Sequence, residues 1–223
     1  MKSIFHYLPL FLLPAFFLPL AHAQYGFDVG IGFGAMQDKA SSNGLDYNTF
    51  ASCTTATDSS CVNTSSLNSV SMGISGNVMA WKHFGFGAEV NFQPGKSTYM
   101  NATSAAGFNL QSRMTLFDAD AVYQPVRTKK VAFQISGGPG VANLKFYESG
   151  STGTAIGSSN YSAYVGSNNH FQVHAGVGVQ FYLTEHVFLR PQFDVHYVNN
   201  LTQFGSKVVT SETVWLGYTF GGQ

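Results

Sequence analysis

This chain of 223 residues has few charged residues. Eleven basic and eleven acidic residues make up 10% of the chain and cancel to a net charge of zero. Soluble domains carry about 25% charged residues, so a water-facing surface built from this composition would be poorly soluble unless hydroxyl and amide side chains covered it. The lack of a basic excess also argues against a nucleic acid partner, which calls for a positively charged surface.

Long apolar runs are missing after the first twenty residues. Lys2, the apolar run 4–20 and the small-x-small site 21–23 are typical of a cleavable signal peptide, and we expect cleavage before Gln24. An uncleaved anchor is the alternative. No later stretch approaches the ~20 apolar residues of a spanning helix. Few charges without such a helix favour a closed β-barrel over residues 24–223, with its outer wall facing lipid.

Cysteine is nearly absent. The two cysteines, Cys53 and Cys61, lie in a stretch rich in Ser, Thr and Asn. In an exported protein, a disulfide that closes a small loop is the natural interpretation. A metal-binding pair is the alternative, and it is disfavoured because no histidine or further cysteine lies nearby.

Alternation of apolar with small or polar residues is what the chain does have. In the first segment Phe27, Ile31 and Phe33 fall on one face, while Asp28 and several glycines fall on the other. This period of two predicts a strand with two different faces. The pattern recurs seven more times up to Phe220, which predicts eight strands.

Two of these segments are irregular. Between Thr115 and Phe117 the fourth segment changes phase, which predicts a bulge. The fifth segment has Leu144 and Phe146 assigned to the outer face, and we expect a kink around Pro139, because proline removes a donor from the ladder.

The connections alternate in length, with long segments at 36–69, 95–107, 148–168 and 199–210 and short ones at 82–83, 125–130 and 184–186. Four long loops on one side and three short turns on the other are typical of an up-and-down barrel. Aromatic residues near the strand ends are predicted to form the girdles of such a barrel: Tyr25, Trp81, Phe84, Tyr123, Phe181, Phe188, Tyr197 and Tyr218.

The opening stretch 26–32 and the closing alternation 214–220 resemble those of the small eight-stranded outer membrane barrels, the OmpA-type transmembrane domain and its relatives. The resemblance implies an all-β fold, an eight-stranded antiparallel up-and-down transmembrane barrel with four long outer loops and three short periplasmic turns. It also implies a bacterial outer membrane location. The implied partners are outer membrane lipids, the barrel-insertion machinery that reads the last strand, and an extracellular ligand bound through the loops. Residues 221–223 follow the terminal Phe220, a small departure from the family pattern.

Eight strands enclose a space just wide enough for side chains, so we predict a lumen plugged by a polar network rather than an open pore. Its predicted members are Asp28, Glu89, Asp118, Asp120, His174, Arg190, Asp194 and His196, with Arg113 and Glu212 as further candidates. Buried charges must be paired or hydrated. We therefore expect Arg190 to bridge two or more of the carboxylates, a task that suits its planar head.

Catalysis is disfavoured at the one place that suggests it. The segment 194–200 resembles the region of the outer membrane lipid A deacylases in which a nucleophilic serine follows the histidine by two residues. Here His196 is followed by Val198, which cannot attack an ester. His174 and His196 share the inner face, but two ligands do not make a metal site. We expect no catalytic residue, no metal and no cofactor.

The function favoured by the sequence is a structural or surface-interaction role in envelope integrity, adhesion or recognition through the outer loops. Transport of small hydrophobic molecules through a lateral opening near Pro139 is the alternative, and a lipid-modifying enzyme is less favoured. A soluble barrel of the lipocalin kind is the structural rival. It would turn its apolar face inward, and alternation by itself does not distinguish the two faces.

Overall fold

The computed structural model describes residues 26–38, 61–63, 67–102, 108–154, 157–201, 204 and 206–221. The proposed signal peptide and Cys53 lie outside these ranges, and so does the predicted disulfide between Cys53 and Cys61. Ten strands are formed: β1 (Phe27–Asp38), β2 (Cys61–Asn63), β3 (Ser69–Met79), β4 (Phe84–Phe92), β5 (Ser97–Ala102), β6 (Phe108–Arg127), β7 (Val131–Thr154), β8 (Gly157–Tyr182), β9 (Val187–Val198) and β10 (Val208–Phe220). Within the described ranges no helix has the length and apolar character needed to cross a membrane.

The strands form one closed ring with eight positions. β5 continues β4 along the same edge of β6, and β2 pairs with β5 just as β3 pairs with β4. Each of the two short strands therefore extends a longer one. β1 pairs antiparallel with β10, from Phe27 opposite Phe220 to Asp38 opposite Val209, and this pairing closes the ring. The predicted eight-stranded antiparallel barrel is confirmed.

The two faces of the sheet are oriented as predicted. Outward side chains such as Ile74 and Phe86 are 62% and 60% exposed, whereas Arg190 and Asp194 are fully buried inside the ring. A soluble barrel of the lipocalin kind would have the reverse arrangement. The exterior is therefore apolar over the middle of the barrel, and the interior there is polar.

The predicted phase change in β6 is wrong. Its register with β4 is unbroken from Phe84 opposite Tyr123 to Phe92 opposite Thr115. The only shift against β7 lies between Tyr123 and Val126, beside a proline. Because one parity holds from Leu110 to Tyr123, the apolar Leu110, Met114 and Leu116 point into the barrel.

The assignments in β7 also need correction. Leu144 and Phe146 are buried inside the barrel rather than facing outward. The register with β8 runs without interruption past Pro139, whereas the ladder with β6 omits the rungs of Gly138 and Pro139, so the irregularity expected at the proline lies on the β6 side only. On the β6 side, Gly138 lies so close to Ala119 that an added Cβ would clash with its carbonyl oxygen. The seam between β6 and β7 is therefore tight at this point.

Three strands continue well beyond the apolar band. Phe117, Val141 and Phe171 are cross-strand neighbours and the last large apolar residues of the band on β6, β7 and β8. Their outward successors Asn143 and Asn169 are joined by a 2.6 Å hydrogen bond. We call residues 108–116, 142–154 and 157–170 the surface sheet. The predicted loop 148–168 is thus mostly strand.

Most of the predicted girdle is found on the outside. Six of its aromatic residues have outward, partly exposed side chains: Trp81, Phe84, Tyr123, Phe181, Tyr197 and Tyr218. The assignment of Phe188 to the girdle is wrong, because its side chain is fully buried and points inward. Tyr25 lies outside the described residues. Arg113 and Glu212 also point outward rather than into the lumen.

Candidate functional site

The lumen is filled by polar side chains from nearly every barrel strand. At its lower end Asp28 of β1 accepts hydrogen bonds from Thr219 Oγ1 at 2.6 Å and from Gln180 Nε2 at 3.4 Å. These partners come from β10 and β8, so the contacts tie the first strand to two others across the interior. Asp28 is 3% exposed.

Arg190 lies at the next level and forms no ion pair with a carboxylate of the described residues, so the prediction that it bridges carboxylates is wrong. Its guanidinium donates to Gln134 Oε1 at 3.3 Å and to Ser75 Oγ at 3.2 Å. The guanidinium carbon lies 5.4 Å from the ring centroid of Trp215 and 5.9 Å from that of Phe188. Aromatic faces attract a cation through their quadrupole. The two rings therefore contact the guanidinium where we expected carboxylates.

Glycine makes room for this aromatic layer. A Cβ added at Gly217 would run into the ring of Phe188, and one added at Gly32 would run into Trp215. The inward glycines therefore have a packing role, because two large rings and a guanidinium occupy the space that their missing side chains leave. From sequence, these glycines are recognisable only as the small residues of the inner face.

The upper half of the network is centred on His174 of β8. Its Nδ1 lies 2.9 Å from Asp120 Oδ1, and its Nε2 lies 2.9 Å from Asp194 Oδ1. Both contacts are hydrogen bonds at once only if each ring nitrogen, or the carboxyl group facing it, carries a proton. The imidazole thus joins carboxylates from β6 and β9 across the lumen.

His196 stacks on His174, with ring centroids 4.6 Å apart and an interplanar angle of 13°. Its Nδ1 lies 3.7 Å from Asp118 Oδ2, a contact longer than a hydrogen bond. Asp118 instead accepts a hydrogen bond of 2.7 Å from Gln172 Nε2. The histidine pair and its carboxylates form the densest ionisable cluster in the described lumen.

Amide side chains connect the carboxylates to one another. Glu89 accepts from Asn91 Nδ2 at 2.6 Å and from Gln192 Nε2 at 3.1 Å, and the same Gln192 nitrogen lies 2.8 Å from Asp194 Oδ1. These amides are absent from the set of lumen residues predicted from sequence. Their inward parity was the available signal, because each alternates with an outward apolar residue.

Above the polar network the lumen is closed by apolar side chains. We call this cluster the outer plug. Its described members are 0–6% exposed: Met36, Leu67, Leu110, Met114, Leu116, Ala142, Leu144, Phe146, Val198, Leu201, Phe204 and Val209. The interior therefore changes from polar to apolar at the level where the exterior changes from apolar to polar.

The geometry at His196 offers no nucleophile at the position that the deacylase motif requires. Val198 belongs to the outer plug and is fully buried. In the described ranges, no three or more His, Cys, Asp or Glu residues are arranged to hold a metal ion. The side chains of the cluster instead connect different strands through hydrogen bonds.

Two cations lie opposite each other on the outer face of the surface sheet. Arg113 of β6 is the direct cross-strand neighbour of Lys145 of β7. Nearby, Lys96 Nζ lies 4.2 Å from the ring centroid of Tyr147. The Tyr161 hydroxyl donates to Glu148 Oε1 at 2.7 Å, and this hydrogen bond to a carboxylate raises the pKa of the Tyr161 phenol.

Comparison with known proteins gives a consistent result for the fold. The family model described as outer membrane protein beta-barrel domain matches residues 8–220. The structure of Ail from Yersinia pestis in complex with the heparin analogue sucrose octasulfate has 13% identity and a TM-score of 0.53, covering 89% of this chain and 100% of that one. A major outer membrane protein from Thermus thermophilus has 13% identity and a TM-score of 0.54, with the same coverage of both chains. No curated protein matches the sequence.

Proposed function

This chain belongs to the outer membrane protein beta-barrel domain family and is a bacterial outer membrane protein, and from that premise we propose that it is a sealed anchor for a recognition surface. The barrel holds the surface sheet above the membrane. The ligand is an anionic glycan that carries phosphate or sulfate groups, and it binds at Arg113 and Lys145.

The closed interior supports an anchor rather than a channel. The outer plug consists of buried apolar side chains, and below it the lumen is crossed by hydrogen bonds between strands. Two observations argue against transport through a lateral opening: β7 keeps its register with β8 past Pro139, and on the β6 side, where the ladder omits Gly138 and Pro139, Gly138 still lies close to the Ala119 carbonyl oxygen. Lipid modification loses support from the burial of Val198 in the outer plug.

The pair Arg113 and Lys145 is the observation that carries the proposal. Direct cross-strand neighbours have Cβ atoms about 5 Å apart, and two like charges in this position are destabilising. A bound anion relieves that repulsion, and arginine suits phosphate and sulfate groups because its donors form a planar fork. The pair lies four residues beyond Phe117 and Val141, about 13 Å along the strand. This height places the cations outside the hydrocarbon.

Ail, which has the same fold, was crystallised with a sulfated heparin analogue. At 13% identity this likeness concerns the fold only, but it supports the choice of sulfated glycan as the first probe. The chemistry that recognises the probe here is the pair of cations on β6 and β7.

The test is binding of heparin to the protein in nanodiscs of neutral lipid, with the double variant Arg113→Gln and Lys145→Gln. We expect wild-type binding to weaken as sodium chloride rises from 0.1 to 1 M, because the screening length falls from about 10 to 3 Å. The double variant should bind at least about tenfold more weakly, since each lost charge-assisted contact contributes about 1.5 kcal/mol or more.

The matched control is Lys129→Gln with Lys130→Gln, which removes the same charge from a turn at the opposite end of the barrel. This variant should bind like the wild type when heparin is offered to intact cells. Equal binding by both double variants contradicts the proposed site. Absence of heparin binding in neutral lipid, together with binding of an anionic glycolipid that the double variant loses, assigns the pair to a membrane headgroup instead of a soluble glycan.

A further inference from the structure

Strand β8 is much longer than the neighbour that should cover its second edge. It spans 26 residues, whereas β9 spans 12. Their pairing begins at Gln172 opposite Val198 and ends at Tyr182 opposite Phe188. Residues 157–170 are paired with β7 on one side, and no strand in the described part of the chain pairs with their other side.

The backbone groups that point to this open edge can be assigned from the hydrogen bonds at either end of the strand. Tyr182 N–H donates to Lys130 O on the β7 side, whereas Asn199 N–H donates to Phe171 O on the β9 side. Because N–H and C=O groups alternate between the two edges along an antiparallel strand, Ser167 and Asn169 turn theirs toward the open edge.

The edge has few of the features that normally prevent pairing with another chain. Natural edge strands are protected by charges, prolines, bulges or covering segments. Between Gly157 and Phe171 there is no charged residue and no proline. The register shift against β7 leaves one extra residue, Val165, as a bulge. Tyr164 and Val165 are 58% and 51% exposed, so no described segment covers them.

One cation indicates the chemistry of the occupant. Lys96 Nζ donates a hydrogen bond of 2.6 Å to Ser162 Oγ, and Ser162 is an exposed residue of β8. A residue of an added strand opposite Ser162 would place its Cβ about 5 Å away on the same face. An acidic side chain there would reach the ammonium group.

We propose that the open edge of β8 binds an extended polypeptide segment of a partner protein, which adds a strand to the surface sheet and carries an acidic residue opposite Ser162. Strand addition derives its affinity from backbone hydrogen bonds and its specificity from alternate side chains. This binding mode uses backbone groups at the edge of β8, whereas the glycan site uses the side chains of Arg113 and Lys145; the two adjoin, because Lys145 is the cross-strand neighbour of Ser167.

The test uses Ser167→Pro, which removes one N–H from the open edge, with Ser167→Ala as the matched control that keeps it. The probe is a fluorescent alternating Thr-Val peptide with a central Glu, measured by anisotropy on the full chain in nanodiscs. We expect saturable binding to the wild type and to Ser167→Ala. Ser167→Pro should weaken binding about tenfold, as should N-methylation of alternate peptide residues.

Lys96→Gln should weaken binding of the Glu peptide and remove its salt dependence, and it should leave binding of a Gln peptide unchanged. Heat-dependent gel migration verifies that each variant is folded, and retained heparin binding by Ser167→Pro separates this site from the glycan site. Equal peptide binding by Ser167→Pro and Ser167→Ala overturns the proposal. Failure of the wild type to bind, together with a dimer that only Ser167→Pro dissociates, assigns the edge to a second copy and also overturns it.

Discussion

Replacing His174 with leucine tests whether the lumen network stabilises the barrel. The substitution removes two hydrogen bonds of 2.9 Å to buried carboxylates, on Asp120 and Asp194. Hydrogen bonds to charged groups contribute about 1.5–3 kcal/mol each, and breaking a buried ionic contact by removing one partner costs about 3–5 kcal/mol. We expect the free energy of unfolding to fall by about 3–5 kcal/mol.

The two carboxylates should not contribute equally to that loss. Asp194 also accepts hydrogen bonds from Gln192 and Ser211, whereas Asp120 has no other recorded hydrogen bond among the described side chains. In the His174→Leu background, Asp120→Asn should therefore restore more stability than Asp194→Asn, because it neutralises the carboxylate left without a partner. A double-mutant cycle with these variants measures the coupling.

The measurement is urea unfolding of the refolded protein in detergent, followed by the change in gel migration between folded and unfolded chains. His186→Leu is the control, since the exposed His186 side chain makes one hydrogen bond of 3.1 Å to Thr219 O and stacks on Tyr218 with ring centroids 5.3 Å apart; the loss of this hydrogen bond should cost about 1 kcal/mol. If His174→Leu costs no more than His186→Leu, or if Asp120→Asn gives no recovery, the lumen network does not stabilise the fold through these contacts.

Three further properties of the barrel, and the valine at position 198, lead to expected outcomes. Gly138→Ala should impair folding by forcing β6 and β7 apart, whereas Gly95→Ala, where an added Cβ meets nothing within 4 Å, should behave like the wild type in the same gel assay. Protein reconstituted in planar bilayers should show no steady conductance, and open-channel currents would contradict a sealed lumen. Lys145→Glu should abolish heparin binding while stabilising the barrel by about 0.2–1 kcal/mol, and a loss of stability would argue against repulsion from Arg113. Incubation with lipid A should leave its mass spectrum unchanged for wild type and His196→Ala alike, and release of an acyl chain by the wild type would establish catalysis.

The strands and their two faces could be predicted because a strand repeats every two residues. Once Phe27 is placed outside, Asp28 must point inside, and the same reasoning places the other polar residues of the lumen. All eight side chains predicted to lie in the lumen are buried there. The alternation of inward and outward side chains along one strand does not depend on which strands are its neighbours. It can therefore be predicted from sequence.

The partners within the lumen could not be predicted in the same way. Which side chains meet depends on the stagger between strands and on distances across the ring, which alternation does not specify. Charge alone pairs Arg190 with carboxylates, yet Gln134, Ser75 and the rings of Trp215 and Phe188 are the groups at its level. Only the register brings these residues of different strands to one height.

The errors in β6 and β7 have a single cause, the assumption that apolar side chains face outward along the whole strand. On β7 the same alternation of inward and outward side chains holds at both levels. The inward Gln134 is polar at the level where the barrel faces lipid, and the inward Leu144 is apolar at the level where the barrel faces water. Beyond the hydrocarbon the surface sheet behaves like a soluble protein and buries its apolar side chains in the outer plug. The position at which hydrophobicity exchanges faces, just past Val141, therefore marks the outer edge of the membrane. The apparent phase slip in β6 is the same exchange, which begins between Leu116 and Phe117 on a strand whose hydrogen bonding is continuous there.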